Sequence, residues 1–340
     1  MRRSSQLLLK IRKRQKLKMT QKIKRKLFLG IDTSNYTTSV AICDEGGEVL
    51  ANIKKMLPVA DGERGLRQSD AVFHHTKNLP ICMDSLKEKL ESLDFEYEIA
   101  AIGVSAYPRD NEGSYMPCFL CGIASAHGIS AVSGAPVYEF SHQCGHIRAA
   151  VYSSGNDDLL KGRFGAFHVS GGTTDMLMVD PHSVGFNIER IGGTLDMNAG
   201  QAIDRTGVLM GLSFPAGREM DELSRTFDGE IKGISVSVKG LSCNLSGLEN
   251  KAAKLYAECG DKAQVSKYVF EFIGKTLYKL SENLRAEYGE LPLLFAGGVM
   301  SNSYIKARLT SLGNVYFAEP LFSADNAAGV SLMARDKYYS

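Results

Sequence analysis

"RFGAFHVSGGTTDMLMVD", residues 163–180, reads as a buried strand, a tight turn and a returning strand that closes on an acid. The turn, Ser170-Gly171-Gly172-Thr173-Thr174, offers glycines for close backbone approach and hydroxyls as further groups for an anion. The pattern already stands in "KLFLGIDTSNYTTSVAICDEGGEVLANI", residues 26–53. There Leu27 to Ile31 forms a strand ending in Asp32-Thr33-Ser34, and Thr38 to Cys43 returns. Asp44-Glu45-Gly46-Gly47 is a hairpin turn into a third strand, Glu48 to Ile53. The N–H groups of such turns can face a phosphate. One hairpin of this kind is common. Two, about 140 residues apart and each opening half of the chain, predict a duplicated lobe with a cleft between the copies. "LPLLFAGGVMSNSYIKARL", residues 291–309, adds a buried strand, a Gly297-Gly298 turn and a helix opening near Ser301-Asn302. Such a turn suits an adenosine lying across the backbone.

Between these elements lies "VYEFSHQCGHIRAAVY", residues 137–152. Its His142 and His146 are four residues apart, so on a helix both imidazoles leave one face. The pair alone is either half of a metal site or two ordinary packed histidines. His74 and His75 are a poorer pair, because adjacent helical residues diverge by about 100°. Cys118 and Cys121 have no second pair to complete a zinc site and read as structural. In "DMNAGQAIDRTGVLMGLSFPAGREMD", residues 196–221, Asp196 is the expected N-cap. Gly200, Asp204, Gly207 and Gly211 then share nearly one helix face. Either that face leaves the Asp204 carboxylate bare for a ribose or amide, or the glycines serve tight helix packing.

A chain of 340 residues is long enough for two lobes. No apolar run approaches the ~18–20 residues of a membrane helix, so no membrane span is expected. Seven scattered cysteines, an odd number, fit a reducing cytoplasm rather than a disulfide framework. Residues 1–26 carry twelve Lys or Arg and no acid, while acids outnumber bases in the remainder. The basic character therefore belongs to a tail, expected to be disordered, upstream of a start at Met19, or an arm for RNA or acidic lipid. The expected organisation is a tail over 1–26, an N-terminal lobe over 27–140 and a C-terminal lobe over 141–335.

Two phosphate hairpins and an adenosine turn, in this order, resemble the α/β actin, sugar-kinase and Hsp70 (ASKHA) ATPase superfamily, two sheet-and-helix lobes round a cleft. Within it the chain resembles the TsaD family, formerly called glycoprotease, which makes threonylcarbamoyladenosine in tRNA. Gly30-Ile31-Asp32-Thr33-Ser34 is similar to that family's opening strand and turn, and His142-Gln143-Cys144-Gly145-His146 to its His-x-x-Gly-His helix. Val169-Ser170-Gly171-Gly172-Thr173 is similar to its ligand loop. "DMNAGQAID" at 196–204 with Phe214-Pro215-Ala216-Gly217, "LSCNLSGLENKA" at 241–252 and "AGGVMSN" at 296–302 are similar to further blocks. Ser323 to Gly329 resembles a terminal Thr-Asp-Asn-Gly motif whose Asp is a metal ligand. These motifs span residues 27–334 in order.

The resemblance implies that His142, His146 and Asp325 hold one transition-metal ion, Fe or Zn, with positions left open for a substrate. It implies that Val169, Ser170, Gly171, Gly172 and Thr173, with Asp204, Gly217, Asp221 and Asn302, bind an adenine nucleotide, threonylcarbamoyl-AMP or ATP. The implied reaction is transfer of the acyl group to an anticodon-loop adenine of tRNA, with AMP leaving. No Ser or Cys with a dedicated base is evident, so direct attack is expected and no catalytic residue is assigned. The implied partners are tRNA, a second ASKHA-fold subunit and a small P-loop ATPase. The sequence departs from the family at three places. The first turn reads Ser34-Asn35-Tyr36-Thr37-Thr38 where Ser-Cys-Asp-Glu-Thr is usual. Thr173 stands where the loop usually has His. "SAYPRDNEGSYMPC" replaces a Gly-Pro-Gly segment. A divergent paralogue that binds or hydrolyses nucleotide as a scaffold or regulatory subunit is therefore a second reading. A protease ranks last, since His-x-x-Gly-His lacks the Glu that serves zinc proteases as general base.

Overall fold

The structure, a computed structural model, describes residues 24–34, 36–58, 66–323 and 325–340. The basic tail lies outside the described residues up to position 23. The first strand, β1 (Arg25–Asp32), starts two residues earlier than expected. With β2 (Thr37–Asp44), β3 (Val49–Met56), β4 (Tyr97–Tyr107) and β5 (Val137–Ser141) it forms a sheet of order β3-β2-β1-β4-β5. β1 pairs antiparallel with β2 and parallel with β4. The second sheet holds β6 (Phe164–Val169), β7 (Thr174–His182), β8 (Gly185–Thr194), β9 (Ser237–Lys239), β10 (Ser242–Asn244), β11 (Leu293–Ala296) and β12 (Val315–Phe317). Its order is β12-β11-β6-β7-β8-β10-β9. Here β6 pairs antiparallel with β7 and parallel with β11. The run β8-β7-β6-β11-β12 thus repeats β3-β2-β1-β4-β5 strand for strand. The duplication expected from the two hairpins is present.

The central strands are apolar on both sides because both sides are covered. Alternation along β1 sends Leu27, Leu29 and Ile31 to one face. There they meet Leu79 and Leu86 of the helix Gln68–Glu91 and Ala126 of the helix Phe119–Ser133. Phe28 goes to the other face. It joins a core shared with Phe164, Ala166 and Leu177 of the second sheet. Two helices fill the space between the sheets: the histidine helix, His142–Ser153, and a closing helix, Ala328–Tyr339. On its far side the second sheet packs Phe167, Val169 and Phe295 against a helical layer that includes Lys262–Tyr288. The layers therefore run helices, sheet, helix pair, sheet, helices. No helix among the described residues is long and apolar enough to cross a membrane.

Glycine sets the spacing at the middle of this stack. A Cβ on Gly30 would lie 2.2 Å from the Ala327 carbonyl oxygen, and one on Gly103 2.1 Å from that of Val330. The closing helix can lie on the first sheet only because those positions have no side chain. Where it crosses the histidine helix, a Cβ on Gly329 would stand 1.8 Å from the Gly145 oxygen. Gly329→Ala is therefore expected to destabilise by about 1–3 kcal/mol through overpacking, read as a lower urea midpoint with an unchanged slope. Gly128→Ala, exposed in the helix Phe119–Ser133 with nothing near its Cβ position, is the control. It should be neutral or stabilising by up to about 1 kcal/mol.

Candidate active site

β5 runs directly into the histidine helix. Ser141 caps it, its hydroxyl accepting a hydrogen bond from the Cys144 N–H at 3.2 Å. The cap fixes where the first turn begins, and the four-residue spacing then puts the His142 and His146 rings 4.3 Å apart, edge to face. Asp325 arrives from the segment before the closing helix. Its Oδ1 lies 3.1 Å from His146 Nε2 and 3.5 Å from His142 Nε2, and the two Nε2 atoms are 2.9 Å apart. All three ligand atoms lie within 4.8 Å of one another.

The orientation of His142 comes from a residue that the sequence reading passed over as the end of a strand. Asp32, buried at the tip of β1, has Oδ2 at 2.8 Å from His142 Nδ1. Ser105 Oγ donates to the same oxygen, and the Ser34 N–H to Oδ1. The first turn thus folds onto its own carboxylate. With Nδ1 engaged by Asp32, Nε2 is the atom turned to the cluster, the arrangement found behind metal-binding histidines.

Burial alone would lower the His142 imidazole, but the charge and hydrogen bond of Asp32, aided by Asp325, outweigh it and raise it to about 10. Burial alone would raise Asp325, yet its hydrogen bonds to and the charges of both histidines hold it well below the usual carboxylate range. Asp32 is lowered too, burial again opposed by His142. One buried carboxylate, Asp32, and one half-buried, Asp325, thus face the cluster, balanced by a proton on His142. Two nitrogens and one carboxylate oxygen converging on one point, with surplus negative charge, suit a divalent transition metal that would take the place of that proton.

A third imidazole was not foreseen. His168 shares the inward face of β6 with Phe164 and Ala166, and its ring centroid lies 5.7 Å from that of His146. Burial, with help from the charge of His146, pushes it down to about 4. Strand alternation was the available signal. The loop after β6 curls onto Ser170, whose Oγ accepts from the Thr173 and Gly172 N–H groups at 3.1 and 3.3 Å. Val169 precedes it under the Gly297 turn, where a Cβ on Gly297 would meet the Val169 oxygen at 2.2 Å.

The other residues singled out for nucleotide gather on the second lobe. Asn302 caps the helix Ser303–Thr310 by accepting from the Ile305 N–H, and its amide donates to Asp221. Asp221 also accepts from Arg225. Asp204 accepts from the Ala216 N–H at 2.9 Å, beside Gly217, which opens the helix Gly217–Ser224. One expectation changes here, and one open alternative is decided. Asn198, not Asp196, caps the helix Ala199–Leu209, in a capping box with Gln201. Asp196 instead accepts from the N–H groups of Leu245 and Ser246, tying down a distant segment. The glycines do not leave a bare face: a Cβ on Gly200 would strike Gly171, one on Gly207 would strike Ala216, and Gly211 lies past the helix end. Cys118 and Cys121 join no metal-binding group among the described residues. Cys121 Sγ packs against the Val72 carbonyl, and His75 pairs with Thr38 away from the cluster.

A model of the family described as tRNA N6-adenosine threonylcarbamoyltransferase, TsaD, matches residues 48–332. A protein of that name from Thermosipho africanus is 30% identical over 333 residues, covering 92% of this chain and 94% of its own. One from Riemerella anatipestifer is 27% identical over 336 residues, with 93% and 94% covered. Among solved structures, component A of the (R)-2-hydroxyglutaryl-CoA dehydratase of Acidaminococcus fermentans superimposes with a TM-score of 0.51 at 14% identity, covering 92% of this chain and 99% of that one. Full-length HypF in its phosphate- and nucleotide-bound form gives 0.54 at 14% identity, covering 94% of this chain and 56% of that one. At such identity the likeness is one of fold, the two-lobed actin and sugar-kinase-like ATPase architecture.

Two measurements test the cluster. Asp32→Asn should weaken metal affinity roughly 10–100-fold while His146→Ala abolishes it; equal metal content in all three proteins by elemental analysis would overturn the ligand set. In metal-free protein the folded-state value of His142 is raised, so its stabilising contribution is complete below about pH 6.5 and lost as pH rises towards 10. Denaturation midpoints under chelator should fall over that window in the wild type and stay flatter in His142→Asn.

Proposed function

The chain belongs to the TsaD family of tRNA N6-adenosine threonylcarbamoyltransferases, and from that membership we propose that it moves a threonylcarbamoyl group from threonylcarbamoyl-AMP to an anticodon-loop adenine of tRNA. It is an acyltransferase. The observation that carries the finer reading is the convergence of His142, His146 and Asp325 beside the loop 169–173, in a chain matched over residues 48–332.

In this proposal His142, His146 and Asp325 hold one Fe or Zn ion. When bound, the metal supplies Lewis-acid polarisation of the acyl oxygen. Asp32 keeps the His142 ring aimed. Residues 169–173, with Asp204, Gly217, Asp221 and Asn302, hold and orient the adenylate. The exocyclic amine of adenine forms the new bond to the carbamoyl carbon while the bond to the phosphate oxygen breaks and AMP leaves. No side chain of this chain enters the acyl bond. tRNA, a second ASKHA-fold subunit and a small P-loop ATPase are the proposed partners, the cytoplasm is the proposed location, and the lobes are assigned to 27–140 and 141–335.

One observation favours the second reading, a nucleotide-binding paralogue without transfer. Thr37 and Thr38 are buried in β2 and Tyr36 is exposed, so among its described residues the first turn offers no carboxylate beyond Asp32. Loss of the gene followed by mass analysis of tRNA nucleosides separates the two. Disappearance of threonylcarbamoyladenosine is expected, and an unchanged level would leave the paralogue. Asp204→Ala should weaken adenylate binding by about 1.5–3 kcal/mol, roughly ten- to a hundredfold. Calorimetry that finds no binding of ATP, AMP or an adenylate analogue to metal-loaded protein would overturn both readings.

A further inference from the structure

Behind the histidine helix lies a cavity of about 710 Å³ that the proposed reaction does not use. The closing helix, the β2–β3 turn and the β7–β8 hairpin form its other walls. Arg148 lines it from the histidine helix. It follows His146 by two residues, so it leaves that helix about 200° round from it. Its side chain is 7% exposed, and its Nε donates to Asp336 Oδ2 at 2.9 Å. Its Nη1 is buried with no hydrogen-bond partner. Arg335 Nη1 donates to the other oxygen of Asp336 at 2.9 Å. Two guanidinium groups therefore share one carboxylate, and the floor of the cavity keeps one net positive charge. The remaining charges, Lys161 with Glu48 and Asp157, are exposed at the rim, where water weakens their effect without removing it, and Lys161 is also paired with Asp158.

Guanidinium groups are the side chains best shaped for phosphate oxygens. Tyr152, Phe186 and Met333 supply an apolar wall beside them, and the volume lies within the range of about 300–1,000 Å³ usual for small-molecule sites. We propose that this cavity binds a small phosphomonoester, its phosphate on Arg148 and Arg335 and its organic part against Tyr152, Phe186 and Met333. Such a ligand ties the histidine helix to the closing helix, the two elements whose crossing carries the metal cluster. The site stands apart from the residues proposed for the adenylate and does not depend on the transfer reaction.

Phenyl phosphate is the probe, since it carries both parts and no adenine. Calorimetric titration of the full chain should show one site. Arg335→Gln should weaken it at least about tenfold, the loss of one charge-assisted pair. Lys161→Glu, an exposed change that does not threaten folding, should weaken it by about threefold through reversed rim charge. Asp204→Ala should leave it unaltered. Absence of binding in the wild type, or unaltered affinity in Arg335→Gln or in Lys161→Glu, would overturn the proposal. So would loss of binding in Asp204→Ala, because the probe would then be seated in the adenylate cleft.

Discussion

Where the histidine helix crosses the closing helix, the Gly145 carbonyl occupies space that any Cβ on Gly329 would need. Closeness at this one point governs the chemistry on either side of it. His146 follows Gly145 immediately, and Asp325 lies four residues before Gly329, so the approach of the two backbones is what brings Asp325 Oδ1 to 3.1 Å from His146 Nε2. A larger side chain at the crossing would spread the helices and open that distance with them. Gly30 and Gly103 extend the same constraint downward, letting the closing helix settle on the first sheet.

The cluster is assembled from four places in the chain, each contributing what its position permits. The tip of β1 provides a buried carboxylate, the histidine helix two nitrogens on one face, the segment before the closing helix a second carboxylate, and β6 a neighbouring imidazole. Burial would disfavour every charge in such a place. The charges persist because they face one another: Asp32 and Asp325 hold the His142 proton, and that proton holds them ionised. A site balanced by one exchangeable proton is well matched to a cation that can displace it.

Much of this was legible in the sequence, for identifiable reasons. The two hairpins declared themselves through continuous apolar runs broken by small polar turns, and their recurrence gave the duplication that the strand orders bear out. The helical spacing of His142 and His146 predicted a shared face, while Asp325 entered only through resemblance, because no periodicity links positions 179 residues apart. Asp32 was missed because an acid ending a strand reads the same whether it faces solvent or supports a histidine. His168 was missed because alternation fixes the face of a strand without saying what covers it. The glycines of residues 196–211 were left between two readings for a related reason. Their spacing was seen, but the loop and helix packed against them lie elsewhere in the chain.

The closing helix also has a consequence in time. Ser331 Oγ donates to the Phe28 carbonyl, and Cys43 N–H to Ser331 Oγ, links across 303 and 288 residues. At synthesis rates of 5–20 residues per second, roughly 15–60 s separate the emergence of β1 from that of the segment that covers it. Throughout that interval the inner face of the first sheet, with Phe28, Ala41 and Ala101, lacks the closing helix that lies on it. A nascent chain of this design carries a partly uncovered apolar surface until residues 328–339 emerge, and it is there that chaperones have most reason to wait.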